Sequence, residues 1–171
     1  MLIKRPWLFA LVTFPLGLFV QALSISFLSP WPSPSWLFIA VLSLGGGGRP
    51  NLAQSLGFFW GLSMDVFSLS LFGSQGWLLC AAGFVSGRFS RQLNTGKWVT
   101  QEAVVLAGTV VFWIGVRGLD KVFRPEGLRP ASVVSLLGLC VLNAAAAPVA
   151  FWAMEKWMGI WSFLEGRHAS R

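Results

Sequence analysis

The chain of 171 residues has one histidine, no tyrosine, two cysteines and very little charge. A single imidazole, His168 in a polar stretch near the C-terminus, gives no basis for a metal site or a Ser-His-Asp triad. Cys80 and Cys140 lie inside separate apolar runs with no ligand-spaced neighbour, so they read as small packing residues rather than a disulfide or metal pair. Gly-x-Ser-x-Gly, His-Glu-x-x-His and repeated Mg²⁺-holding aspartates are all missing from the sequence. These gaps point away from an enzyme and from any cofactor or metal. Only 11% of residues are charged, where a soluble domain carries roughly a quarter, and 55% are hydrophobic. No stretch remains that could build a separate soluble core, so the expected fold is an all-α integral membrane protein folded as one compact bundle.

What charge there is sits at the edges. Thirteen basic and six acidic residues give a net charge of +7, but the basic residues fall mostly at the ends of apolar runs. That placement reads as a topology signal facing anionic lipid, not as a nucleic-acid surface. Lys4 and Arg5 precede a first apolar run, residues 7–28, that is longer than a signal-peptide core of roughly 7–15 residues. It reads as a retained anchor. Further apolar segments follow at 36–44, 52–72, 76–89, 98–116 and 131–157, giving about six transmembrane helices in residues 1–161 and a basic cytoplasmic tail over 162–171. The second is short and ends in four glycines, Gly45 to Gly48: counted with them it just crosses a thinned or tilted bilayer, and without them it is a re-entrant or interfacial piece. The charged stretch from Arg117 to Pro130 is expected as an external loop. Six crossings with both termini in the cytoplasm put nine of the thirteen basic residues inside, including the cluster Arg88, Arg91 and Lys97. Trp7, Trp31, Trp36, Trp77, Trp98, Trp157 and Trp161 lie near the segment boundaries, as an aromatic belt requires.

Asp65 is the one acid well inside a long apolar run. Near a helix centre it costs roughly 2.5–3.5 kcal/mol to insert, so it should face protein or water. Helical steps of four join Gly57, Gly61 and Asp65, forming a small-residue groove that ends at the carboxylate. The uncharged Phe72-Gly73-Ser74-Gln75-Gly76 then turns the chain into a helical hairpin. Three uses are open to the acid: capping a neighbouring backbone, binding a ligand or partner, and acid/base chemistry. The last lacks a second intramembrane ionisable group beside it. The other polar residues in apolar surroundings, Gln21, Asn51, Gln54 and Asn143, are scattered and point to no single pocket.

The motif Gly57-Phe58-x-x-Gly61-Leu62-x-x-Asp65, followed by Phe72-Gly73 and a second apolar segment, resembles the rod shape-determining protein MreD family. The likeness is densest over residues 49–91. The resemblance implies a non-catalytic scaffold of the bacterial cell-elongation machinery in the inner membrane. Its implied partners are the transmembrane segment of MreC and, through it, MreB and the side-wall peptidoglycan polymerase and transpeptidase. Gly57, Gly61, Asp65 and Gly73 match the family motif and carry no catalytic role. The expected use of Gly57 and Gly61 is a groove that admits the partner's helix, with Asp65 fixing its geometry. The family fold also resembles the S components of vitamin transporters, which makes a small-molecule-binding transporter subunit the alternative.

Overall fold

A computed structural model describes residues 6–28, 33–68, 71–89, 98–123 and 133–168, with side chains to residue 164 in the last helix. Among them the chain forms six helices: α1 (Pro6–Leu28), α2 (Trp36–Gly46), α3 (Pro50–Phe67), α4 (Ser74–Phe89), α5 (Trp98–Phe123) and α6 (Val133–His168). Three of these, α1, α5 and α6, are long and apolar enough to cross a membrane. The chain is a helical membrane protein.

The middle of the bundle is α2. Its 11 residues rise about 16 Å, well short of a hydrocarbon core of about 30 Å. Eight of them, Leu37 to Ile39 and Val41 to Gly45, are buried. A helix that is apolar all round is a helix enclosed on all sides, and here the enclosure is protein: α1, α3, α4 and α6 all pack on it. Ser86 of α4 donates its hydroxyl to the carbonyl of Leu42 at 2.7 Å, and Phe38 meets Phe112 of α5 with ring centroids 5.2 Å apart. The residues that made segment two look like a marginal span are core residues.

Three boundaries differ from expectation. Helix α5 runs on to Phe123, which puts Arg117, Asp120 and Lys121 on a helix instead of in a loop. No proline interrupts the sequence before Pro125, and Arg117 gains a contact over the ring of Trp113 one turn back, at 5.7 Å. Helix α3 stops at Phe67, short of the apolar run's end at Phe72, with Ser68 already extended. Helix α6 continues past Trp157 and Trp161 to His168 because both indoles pack against α1. Trp157 donates to the Thr13 hydroxyl at 3.0 Å and Trp161 meets Phe9 edge-on. Trp7, Trp77 and Trp98 are exposed, as belt residues should be, and Trp31 lies outside the described residues.

Candidate functional site

The hairpin α3–α4 is built on a seam of small residues. On α3 the stripe is Pro50, Ala53, Gly57, Gly61 and Asp65; on α4 it is Gly87, Gly83, Leu79 and Gly76. The two stripes meet in antiparallel register, each step a single helical turn. A methyl group on Gly57 would stand 2.8 Å from the Leu79 carbonyl oxygen, and one on Gly83 would stand 2.8 Å from the Ala53 carbonyl carbon. At Gly61 a methyl group would overlap the Gly76 Cα outright. Lipid offers no hydrophobic drive for helix association, so backbones brought this close by missing side chains supply the van der Waals contact instead.

Asp65 takes the last position of that stripe and is 3% exposed. Its Oδ2 accepts the backbone N–H of Gly73 at 2.9 Å and of Gly76 at 3.2 Å, and its Oδ1 accepts that of Gln75 at 3.2 Å. A helix begins with backbone N–H groups that have no intrahelical acceptor, and in lipid each one left bare is expensive. The start of α4 leaves none bare: Ser74 N–H donates to Leu71 at 3.0 Å, Gln75 and Gly76 to Asp65, and Trp77 to Gly73 at 3.0 Å. A carboxylate at a helix N-terminus is also favoured by the helix dipole. Asp65 therefore acts as the N-terminal cap of α4, supplied from the preceding helix. Gly73, at φ +92°, adopts a left-handed conformation that only glycine takes without strain, and this aims its N–H back at the acid.

A second acid holds the same turn. Asp120 of α5 accepts the N–H of Leu71 through Oδ1 at 3.0 Å. Its distance in sequence and its place in an apparent loop concealed it, and no local pattern could have revealed it. The Gln75 amide completes the turn by donating to the Ser68 hydroxyl at 3.0 Å.

At the N-terminus of α2 the polar residues that look scattered in the sequence come together. Gln21 of α1 donates to the Pro34 carbonyl at 3.3 Å and accepts the Leu37 N–H at 3.5 Å, while Asn143 of α6 accepts the Ser35 N–H at 2.8 Å. Asn143 also donates to the Thr109 hydroxyl of α5 at 3.0 Å, which in turn donates to the Val105 carbonyl at 2.7 Å. Gln21 and Asn143 thus belong to one buried network, contrary to expectation. Asn51 and Gln54 lie on α3 away from it.

The groove formed by Gly57 and Gly61 is filled by α4 of the same chain, so the close approach those glycines permit is used within the protein. Arg88 is exposed in the last turn of α4; Arg91 and Lys97 lie outside the described residues. Among the described residues no group of His, Cys, Asp and Glu is arranged to hold a metal. The family model described as rod shape-determining protein MreD matches residues 1–160. No curated protein and no solved structure matches the chain.

Proposed function

The chain belongs to the rod shape-determining protein MreD family, and from that premise we propose that it is a non-catalytic scaffold of the bacterial cell-elongation machinery that binds MreC in the inner membrane. Through MreC it would reach MreB and the enzymes of side-wall peptidoglycan synthesis. The observation carrying the non-catalytic part is the state of Asp65. Both of its oxygens are taken up by the protein's own backbone, so the acid that might have done chemistry closes a helix instead. Because α4 already covers the glycine face of α3, MreC docks on another surface.

Co-expression with MreC followed by purification in a mild detergent tests this. The expected result is recovery of both chains at a fixed ratio. Absence of MreC from a preparation in which this chain is folded would sink the scaffold reading. The accompanying topology is six crossings with both termini cytoplasmic, α2 crossing within the protein and not through lipid. A periplasmic reporter should then be active when inserted at Gly73 and silent at Gly48; the reverse pattern would invert the bundle.

The S-component-like alternative draws on the open clefts that flank α2, one of which carries charge of both signs. Binding of a soluble vitamin-like ligand to the purified chain would favour it.

A further inference from the structure

The α2–α3 turn, the first turn of α5 and the middle of α6 enclose a cleft of about 600 Å³. It lies at the end of the bundle where α4 finishes and where Gly87 meets Pro50, the end that carries Arg88. By the distribution of basic residues this is the cytoplasmic end. The cleft is lined by Arg49, Glu155 and Gln101, together with Trp98 and Trp152. Both indoles are 63% exposed, as befits rings at the level of lipid headgroups.

A cation and an anion on one opening do not suit a purely anionic ligand, because the carboxylate would repel it. They suit a ligand that carries both a phosphate and an ammonium. Arginine matches phosphate with parallel N–H donors, and an ammonium is attracted both by a carboxylate and by the face of an indole.

A second cavity, an apolar furrow of about 330 Å³, is lined by α4 and α5 together with Phe38 and Leu42 of α2. On α2 its wall begins at Leu42, beside Ser43 of the cleft; on α5 Val104 and Gly108 follow one and two turns after Gln101. It is apolar apart from Ser86, whose hydroxyl is spent on the Leu42 carbonyl. A charged opening at the membrane edge, with an apolar furrow beginning beside it on α2 and α5, matches an amphiphile and not a soluble ion.

We propose that the cleft binds the phosphoethanolamine headgroup of a membrane phospholipid, with the phosphate on Arg49, the ammonium towards Glu155, and an acyl chain along the neighbouring α4–α5 furrow. The site is independent of MreC binding and stands or falls on lipid selectivity.

Native mass spectrometry of the delipidated full chain, offered phosphatidylethanolamine and phosphatidylglycerol of the same acyl composition in equal amounts, tests the proposal. The wild type should retain the ethanolamine lipid in preference. Arg49→Ala should lower retention of both lipids by about tenfold, the scale of losing a hydrogen bond to a charged group. Glu155→Gln should abolish the preference while retention persists, and Lys156→Ala, one position outside the cleft, should change neither. Water-soluble O-phosphoethanolamine should bind far more weakly than the lipid, since it lacks a chain for the furrow. Equal retention of the two lipids by the wild type, a preference that survives Glu155→Gln, or equal binding of the soluble headgroup would each overturn the proposal. Glu155 is exposed and the glutamine is isosteric, so that variant keeps the test decisive if Arg49→Ala does not fold.

Discussion

The α3–α4 hairpin and the α5–α6 pair are both antiparallel neighbours in an apolar chain, yet they are held together in opposite ways. In the hairpin the backbones touch along a seam of glycine and alanine, and two acids close the turn. In the longer pair only Val105 and Thr109 of α5 are buried, and the contact leans on one polar link, Asn143 to Thr109. A methyl group added at Gly118 of α5 or Gly159 of α6 would meet nothing within 4 Å. Glycine is therefore obligatory along the hairpin seam and incidental at Gly118 and Gly159, whereas Gly108 and Gly115 of α5 lie close to side chains of α2 and α4. The short hairpin holds the shape of the bundle, while α5 and α6 present wide faces to their surroundings.

The contrast can be broken most forcefully at Gly61. Gly61→Leu drives a branched side chain into the Gly76 backbone, and overpacking of this kind should cost about 3 kcal/mol or more, seen as loss of folded protein in a detergent thermal-unfolding series. Any loss of MreC in that variant should track loss of fold. If MreC alone were lost while the unfolding midpoint held, the groove would be a docking site after all.

A smaller effect is expected at the cap. Asp65→Ala orphans the N–H groups of Gly73, Gln75 and Gly76 and should lower stability by about 2–3 kcal/mol, with Asp65→Asn falling between it and the wild type. Hydrogen exchange at those three amides should rise before exchange elsewhere in α4. Exchange that stayed slow in Asp65→Ala would remove the capping role.

Asp120→Ala should cost about 1 kcal/mol, the loss of one partly buried hydrogen bond, and should loosen the turn at Leu71 without disturbing the seam. The smallest change belongs to Gly118→Ala, which should leave the unfolding midpoint unchanged or raise stability by at most about 1 kcal/mol through helix propensity. A marked loss there would mean that α5 is packed as tightly as the hairpin.

Much of the hairpin was legible in the sequence. The four-residue spacing of Gly57, Gly61 and Asp65 places them on one helical face whatever surrounds it, and an acid in an apolar run has to be satisfied somewhere. The complementary glycines of α4 were equally open to view, since Gly76, Gly83 and Gly87 also repeat at helical intervals. The capping network of α2 was not legible, because Gln21 and Asn143 sit on helices far apart in the chain and carry no periodic mark.

By itself the sequence determined that the protein lives in lipid, that its chain divides into six helical segments, and which residues of α3 share a face. Those properties follow from composition and local periodicity, which depend on neighbours a few residues away. Only the tertiary structure decided what covers each face. It placed α4 in the groove that looked ready for a partner, and it wrapped α2 in protein so that a helix too short for the bilayer needs no bilayer. It also brought Asp120 back to the turn that Asp65 closes. Such choices rest on contacts between distant segments, and an apolar surface satisfied by lipid, by a partner or by the same chain has the same sequence in all three cases.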